Sequence, residues 1–268
     1  MTAPRTQRGE LRIEGLVVTL PRTSGEVRIL DDVSLHVPAG TPVALVGGSG
    51  AGKSMTACAV LRLFPVPARI AAGKIVLDGT DLVPLSEREM QAYRGRRIAM
   101  IFQEPASALD PVMPVGEQVI EGIVAHWGRR GARDRAAEAL ARVGLERGLL
   151  QRYPHELSGG QRQRVLIAAA VALEPSLLIA DEPTAALDVT VQAQILDLLG
   201  RLQRDLGMSL LLITHDLGVV AQTCDLVHVM RDGRIVETAE THHLFASPQH
   251  PYTRTLVAGA QRLGLRPG

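Results

Sequence analysis

Val43-Ala44-Leu45-Val46-Gly47-Gly48-Ser49-Gly50-Ala51-Gly52-Lys53-Ser54 decides the fold of this chain. Its first four residues form a short continuous apolar run, typical of a strand buried on both faces. The next eight fit G-x-x-x-x-G-K-S/T, and a helical stretch from Lys53 to Leu63 follows. Strand, glycine loop and helix in that order is the context this spacing needs. The glycines let the backbone curl until its N–H groups point inward at phosphate oxygens, and the helix N-terminus adds partial positive charge. Lys53 is placed to reach β- and γ-phosphates, and the Ser54 hydroxyl to ligate Mg²⁺. An ordinary glycine-rich turn between a strand and a helix has no need of Gly-Lys-Ser and both flanks together.

Further along, Leu177-Leu178-Ile179-Ala180 is an apolar strand ending in Asp181-Glu182. Buried strand ends seldom finish on paired carboxylates without a cation or a reaction to serve. Asp181 would hold Mg²⁺ through water, and Glu182 would orient and deprotonate an attacking water. Leu157-Ser158-Gly159-Gly160-Gln161 reads as a helix start: Ser158 is a good N-cap, and two glycines leave the first amides open to an anion. His215, in Ile213-Thr214-His215-Asp216, follows another strand; taken alone it is a cap or core histidine. Gln103 ends the strand Ile98 to Phe102; taken alone it is a surface residue.

The rest of the pattern supports a mainly parallel sheet covered by helices. Leu11 to Leu20 and Glu26 to Val37 read as strands at one edge, Lys74 to Leu77 and Ser209 to Thr214 as further strands. From Glu104 to Pro154 the character is helical, with Val115 to Trp127 and Arg133 to Val143 as helices and Ala136, Leu140 and Val143 on one face. Gly160 to Leu173 is a helix. Val191, Ile195, Leu198, Leu199, Leu202 and Leu206 line one side of another. Leu226 to Met230 and Arg234 to Glu237 form a hairpin around Asp232-Gly233, and the tail from Thr238 is short helix and turn.

Composition excludes several classes. With 268 residues and 46% hydrophobic content but 3% aromatics, the core is large and aliphatic. A net charge of +1 leaves no footprint for nucleic acid or a membrane surface. The two cysteines, Cys58 and Cys224, sit in apolar runs and read as buried reduced thiols rather than a disulfide or metal framework. No signal peptide opens the sequence, and no uncharged apolar stretch reaches the roughly 18 residues of a bilayer span.

In this order the motifs resemble those of the ATP-binding subunits of ABC transporters. Gly47 to Ser54 matches the Walker A loop, Gln103 the Q-loop and Leu157 to Gln161 the signature. Leu178 to Glu182 matches Walker B with its glutamate, Ala186-Leu187-Asp188 the D-loop, and His215 the switch histidine. The resemblance implies an α/β fold: a RecA-like P-loop NTPase core over 1–103 and 161–238 with an antiparallel β edge, a helical subdomain over 104–160 carrying the signature, and a C-terminal extension over 239–268.

Roles follow from the same resemblance. Gly47, Gly48, Ser49, Gly50, Ala51, Gly52 and Lys53 would hold the phosphates of ATP, and Ser54, Gln103 and Asp181 would serve Mg²⁺. Glu182 would be the general base and His215 a contact to the γ-phosphate. Ser158, Gly159, Gly160, Gln161 and Asp188 would complete the ATP site of a partner, since two such subunits sandwich two ATPs head to tail. The implied assembly pairs the chain with a second, non-identical ATPase subunit, two membrane permeases and an extracytoplasmic solute-binding protein, peripheral to the cytoplasmic face of the inner membrane.

Local sequence narrows the resemblance. Gln103-Glu104-Pro105, Ala108-Leu109-Asp110-Pro111, Val115-Gly116-Glu117-Gln118 and the tail His250-Pro251-Tyr252-Thr253-Arg254-Thr255-Leu256 are similar to importers of the peptide/nickel class. The tail opposes an exporter, and the lack of a fused second ATPase domain or long coiled coil opposes a soluble translation or repair protein. Two departures stand out. No Phe, Tyr or Trp precedes Phe64, and Leu20 holds the place where the family stacks an aromatic on adenine. Ala185 stands where a serine is common beside the D-loop.

Overall fold

The structure, a computed structural model, describes residues 8–22, 25–103, 108–185 and 187–262. Glu104, Pro105 and Ala186, quoted above within motifs, lie outside them.

The chain opens with β1 (Leu11–Arg22) and β2 (Gly25–Val37), an antiparallel pair in which Leu11 faces Val37 and Ile13 faces Leu35. Buried Leu11 and Ile13 alternate with exposed Arg12 and Glu14, so one face of this pair is apolar and the other meets water. β3 (Pro42–Val46) then enters a different sheet and delivers the glycine loop and α1 (Lys53–Leu61). Helix α1 stops two residues before its expected end at Leu63, because Arg62 turns left-handed at φ 53° and its amide folds back onto the Ala59 carbonyl.

β4 (Arg69–Leu77) returns beside β1, and β5 (Thr80–Asp81) completes a four-stranded antiparallel sheet of order β2-β1-β4-β5. Helix α2 (Glu87–Tyr93) was not expected from the sequence: only Met90 is buried, so no apolar stripe announces it. A reciprocal Ser86–Glu89 capping box starts it instead.

β6 (Ile98–Ile101) is followed by a stretch without strands among the described residues. It carries α3 (Val115–Trp127), α4 (Ala132–Arg142), two 3-10 turns and α5 (Gly159–Val171). Ala136, Leu140 and Val143 are all fully buried, as their spacing predicts. β7 (Leu177–Asp181), α6 (Val189–Leu206), β8 (Ser209–Thr214), a second unexpected short helix α7 (Leu217–Thr223), β9 (Leu226–Arg231) and β10 (Arg234–Glu240) follow.

The second sheet runs β10-β9-β3-β8-β7-β6, parallel throughout except for the β9–β10 hairpin. Its continuous apolar runs are explained by burial on both sides. Val43, Leu45, Leu177, Ile179, Leu211 and Ile213 face a cluster shared with β1, β2, β4 and α1. Their alternate neighbours Ala44, Val46, Leu178, Ala180, Leu210 and Leu212 face a cluster built with α3 to α7. This mixed α/β architecture, a parallel core sheet with an antiparallel edge sheet, is the expected fold class.

Two expectations are corrected. The tail is more ordered than "short helix and turn": β10 extends to Glu240, and α8 (Thr241–Ala246) leads to the twelve-residue α9 (Pro251–Arg262). Its buried positions, Thr253, Val257 and Ala260, are small, which hid the helix in the sequence. Of the two free cysteines, Cys224 is buried and its thiol is pushed up to about 12 by that burial, but Cys58 is only half-buried. No helix among the described residues is long and apolar enough to cross a membrane.

Candidate functional site

Parallel register gathers the candidate residues. Val46 lies beside Thr214, Ile213 beside Asp181, and Ala180 beside Ile101. The loop after β3, the acid pair at the end of β7, His215 after β8 and Gln103 after β6 therefore leave the sheet at one edge. In open α/β sheets that carboxyl edge is where ligands bind.

The glycine loop leaves the amides of Ser49, Gly50, Gly52, Lys53 and Ser54 without a partner among the described residues, while those of Gly48 and Ala51 are already bonded. Gly52 caps α1 at φ 105°, a backbone region that L side chains rarely adopt, and no side chain among the described residues caps the helix start. Gly47 is glycine for another reason: a Cβ there would lie 2.2 Å from the Met230 carbonyl oxygen. Ser49, Gly50 and Ser54 are exposed, Ala51 is buried, and Gly48, Gly52 and Lys53 are half-buried. The Lys53 ammonium donates to the Gly47 carbonyl at 2.9 Å and the Gly48 carbonyl at 3.1 Å, so it rests within the curl of its own loop. Open amides, a helix start and a cation form a cradle for phosphate groups.

Asp181 is 4% exposed, and its Oδ1 has no hydrogen-bond partner. Burial pushes its carboxyl above the usual range; the Ser54 hydroxyl pulls the other way, Glu182 adds to the rise, and Lys53 opposes it. A buried acid with an orphaned oxygen close to Ser54 and Lys53 is a fitting donor for a hydrated divalent cation such as Mg²⁺. Glu182 sits in the left-handed region at φ 47°, which costs about 1–2 kcal/mol for a residue with a Cβ. That turn takes its side chain off the line of β7, and Oε1 meets the Nδ1 of His215 at 2.7 Å. The Glu182 side chain is 12% exposed and that of His215 73%, so the pair reaches from the sheet edge into solvent. A carboxylate oriented by a histidine beside a phosphate cradle can accept a proton from water.

Other candidates are not joined to this cluster. Gln103 is exposed and, among the described residues, makes no hydrogen bond to Ser54 or Asp181. Ser158 is the N-cap of α5: its hydroxyl accepts from the Gln161 amide at 3.2 Å, while the Gln161 side chain accepts from the Ser158 amide at 3.0 Å. Gly160 is glycine because of packing, since a Cβ would meet Val191 Cγ1 at 2.8 Å; a Cβ on Gly159 would meet Leu187 at 3.5 Å. Asp188 is itself a cap, accepting from the Val191 amide at 3.0 Å to start α6. No hydrogen bond links Ser158, Gly159, Gly160, Gln161 or Asp188 to residues 47–54 among the described residues. Leu20, in the place of an adenine-stacking aromatic, is half-buried against the core below the edge sheet.

One contact at the loop escaped the sequence entirely. The Tyr252 hydroxyl, from α9, accepts a hydrogen bond from the Gly48 amide at 2.8 Å across 204 residues. The His250-Pro251-Tyr252 motif marked the tail as distinctive, but nothing in spacing or composition says where it docks.

A glycine loop, an acid pair and a histidine at the carboxyl edge of a parallel sheet define a P-loop nucleotide-binding domain. The family described as ABC transporter matches residues 30–185, and the chain belongs to it. It is 47% identical over 258 residues to the oligopeptide transport ATP-binding protein OppD of Bacillus subtilis (strain 168), covering 94% of this chain and 72% of that protein. It is 50% identical over 253 residues to the peptidoglycan transport ATP-binding protein YejF of Agrobacterium fabrum, covering 92% of this chain but 46% of that longer protein. Among solved structures, the dimeric post-hydrolysis state of the ATP-binding cassette MJ0796 bound to ADP and Pi aligns with TM-score 0.77 and 28% identity, over 86% of this chain and 98% of that one. The cassette cbiO1 of Clostridium perfringens, part of the ABC transporter complex cbiONQ, aligns with TM-score 0.76 and 29% identity, over 96% and 98%.

Proposed function

We propose that the chain is the ATP-hydrolysing, energy-coupling subunit of an importer whose cargo is peptides. The observation that carries the ATPase reading is the convergence at one sheet edge of the open-amide loop with Lys53, the half-satisfied Asp181 and the Glu182–His215 pair. Cargo rests on the relatives: OppD is an oligopeptide transport protein, and a Bacillus subtilis relative at 44% identity is the dipeptide transport ATP-binding protein DppD. These support peptides ahead of nickel or a metal chelate.

In this mechanism the unpaired loop amides and Lys53 bind the β- and γ-phosphates, the Lys53 ammonium offering phosphate a donor while the Gly47 carbonyl keeps it in place. Ser54, Asp181 and Gln103 would hold Mg²⁺, directly or through water, and the ion would neutralise charge on the phosphates. Glu182 takes a proton from the water whose oxygen attacks the γ-phosphorus, as the bond to the β–γ bridging oxygen breaks. His215 keeps the Glu182 carboxylate aimed and reaches the γ-phosphate. Ser158, Gly159, Gly160, Gln161 and Asp188 serve the ATP of a second subunit, a non-identical sibling arranged head to tail. That dimer works beneath two permeases at the cytoplasmic face of the inner membrane, and it is the permeases that receive cargo from an extracytoplasmic solute-binding protein.

The test is Lys53→Ala in the full chain. Loss of charge-assisted phosphate contacts should raise the Kd for ATP about 10- to 100-fold, read by titration with a fluorescent ATP analogue. Unchanged affinity would remove the phosphate cradle from this loop.

A further inference from the structure

The Gly47–Gly48 peptide unit is held on both edges. Its carbonyl, on Gly47, accepts from the Lys53 ammonium at 2.9 Å, and its N–H, on Gly48, donates to the Tyr252 hydroxyl at 2.8 Å. A peptide unit is planar and rotates as one piece, so fixing the N–H fixes the direction of the carbonyl. On the other side the Met230 carbonyl lies so near that Gly47 has no room for a Cβ, which would sit 2.2 Å from its oxygen.

Tyr252 is itself built in. Glu237 on β10 accepts from the Gln249 and His250 amides, both at 2.8 Å, and so clamps the turn from which α9 starts. Burial would raise the Glu237 carboxyl, yet those two amides help to leave it lowered, so the clamp stays ionised at neutral pH. The Arg231 guanidinium lies 5.0 Å from the centroid of the Tyr252 ring, and the ring packs on the helical core cluster. A hydroxyl on so fixed a ring has little freedom to leave Gly48.

We propose that Tyr252 is a positioning residue for the nucleotide site: its hydroxyl sets the plane of the Gly47–Gly48 peptide and, through that plane, the place from which Lys53 meets phosphate. The C-terminal helix is then a strap from the β9–β10 hairpin to the phosphate loop. This rests on the proposed binding of ATP at that loop.

A double-mutant cycle on the full chain tests it, with a fluorescent ATP analogue as ligand. Tyr252→Phe keeps the ring and removes only the acceptor. It should raise Kd about 3- to 10-fold when Lys53 is present, and change it less than about 1.5-fold in a Lys53→Ala background, because its effect passes through Lys53. An equal effect in both backgrounds would mean a general structural role and overturns the proposal. So does an unchanged Kd in Tyr252→Phe while Lys53→Ala weakens binding. If Lys53→Ala itself leaves Kd unchanged, it is the ATP-site reading that fails. Should Tyr252→Phe not fold, Glu237→Ala, which releases the turn carrying Tyr252, goes through the same cycle with the same expected direction, and additivity with Lys53→Ala overturns the proposal equally.

Discussion

At the carboxyl ends of β3, β7 and β8, the phosphate loop, the acid pair and His215 meet inside one chain, whereas Ser158–Gln161 at the start of α5 closes on itself. In the first region polar groups are left wanting: α1 begins without a side-chain cap, Asp181 Oδ1 has no partner, and Lys53 lies over the loop on two backbone carbonyls. In the second, Ser158 and Gln161 satisfy each other, and the two glycines lie against Leu187 and Val191. A region with unmet polar groups can bind on its own. The start of α5 keeps the Gly159 and Gly160 amides free of any partner among the described residues but has no cation or orphaned acid beside them, so it gains a ligand only when one is presented to it, and that is the physical content of the proposed head-to-tail dimer.

The sharpest way to break this comparison is Glu182→Gln. Glutamine keeps the size and can still face His215, but it takes no proton from water. General-base catalysis contributes about 10²- to 10⁴-fold, so ATP hydrolysis by the assembled complex should fall by that order while ATP binding persists. Turnover within twofold of the unmodified protein would move the base off the strand-end region.

Ser158→Asp probes the other side. A carboxylate there still offers an N-cap acceptor, but it confronts any phosphate that a second subunit brings. Hydrolysis by the complex should drop at least about tenfold, the size expected when a like charge is forced against an anionic ligand in a partly desolvated interface. ATP binding by the isolated chain should follow the Lys53 loop instead. Equal loss of binding in the isolated chain would place both regions in one site.

How much of this could be seen in the sequence depends on the reach of each signal. Buried strands such as Val43–Val46 and Leu177–Ala180 were legible because burial on both faces leaves an uninterrupted apolar run, α3, α4 and α6 because their apolar positions repeat at helical spacing, and α5 from its Ser158 cap. Helices α2 and α7 were not: each has seven residues, too few for a stripe to repeat; α2 buries only Met90 and starts on its Ser86 cap, while α7 buries Leu217, Val219 and Val220 close together behind its Asp216 cap. Within the site, Lys53, Ser54, Asp181 and Glu182 were legible because the chemistry fixes local spacing. The 2.7 Å bond from Glu182 to His215 depends on the neighbouring placement of β7 and β8, and the Gly48–Tyr252 bond on the docking of α9; both are tertiary facts without a local signature.

The smallest expected effect concerns stability and sharpens the same contrast. Asp181 is buried with one oxygen unpaired and its carboxyl raised above the usual range, whereas Asp188, on the self-satisfied side, is exposed and spoken for as a cap. Asp181→Asn removes a buried charge, so the apoprotein should melt about 2–4 °C higher at neutral pH, the shift that roughly 1 kcal/mol gives in a domain of this size. The pH dependence has a definite sign. Below the unfolded value of 3.8, Asp181 is protonated in both states and the variant gains nothing. As pH rises from there through the raised folded value, the native protein holds a proton that the unfolded chain has released, so the unsubstituted protein loses stability relative to the variant. Above that folded value the gain is complete and constant. Thermal melts of both proteins from pH 4 to 8, without nucleotide or divalent cation, give the curve directly. A variant less stable than the unsubstituted protein at pH 7 would mean that the Asp181 carboxylate is satisfied in the resting chain, and that the strand-end region is no more in want of a ligand than the start of α5.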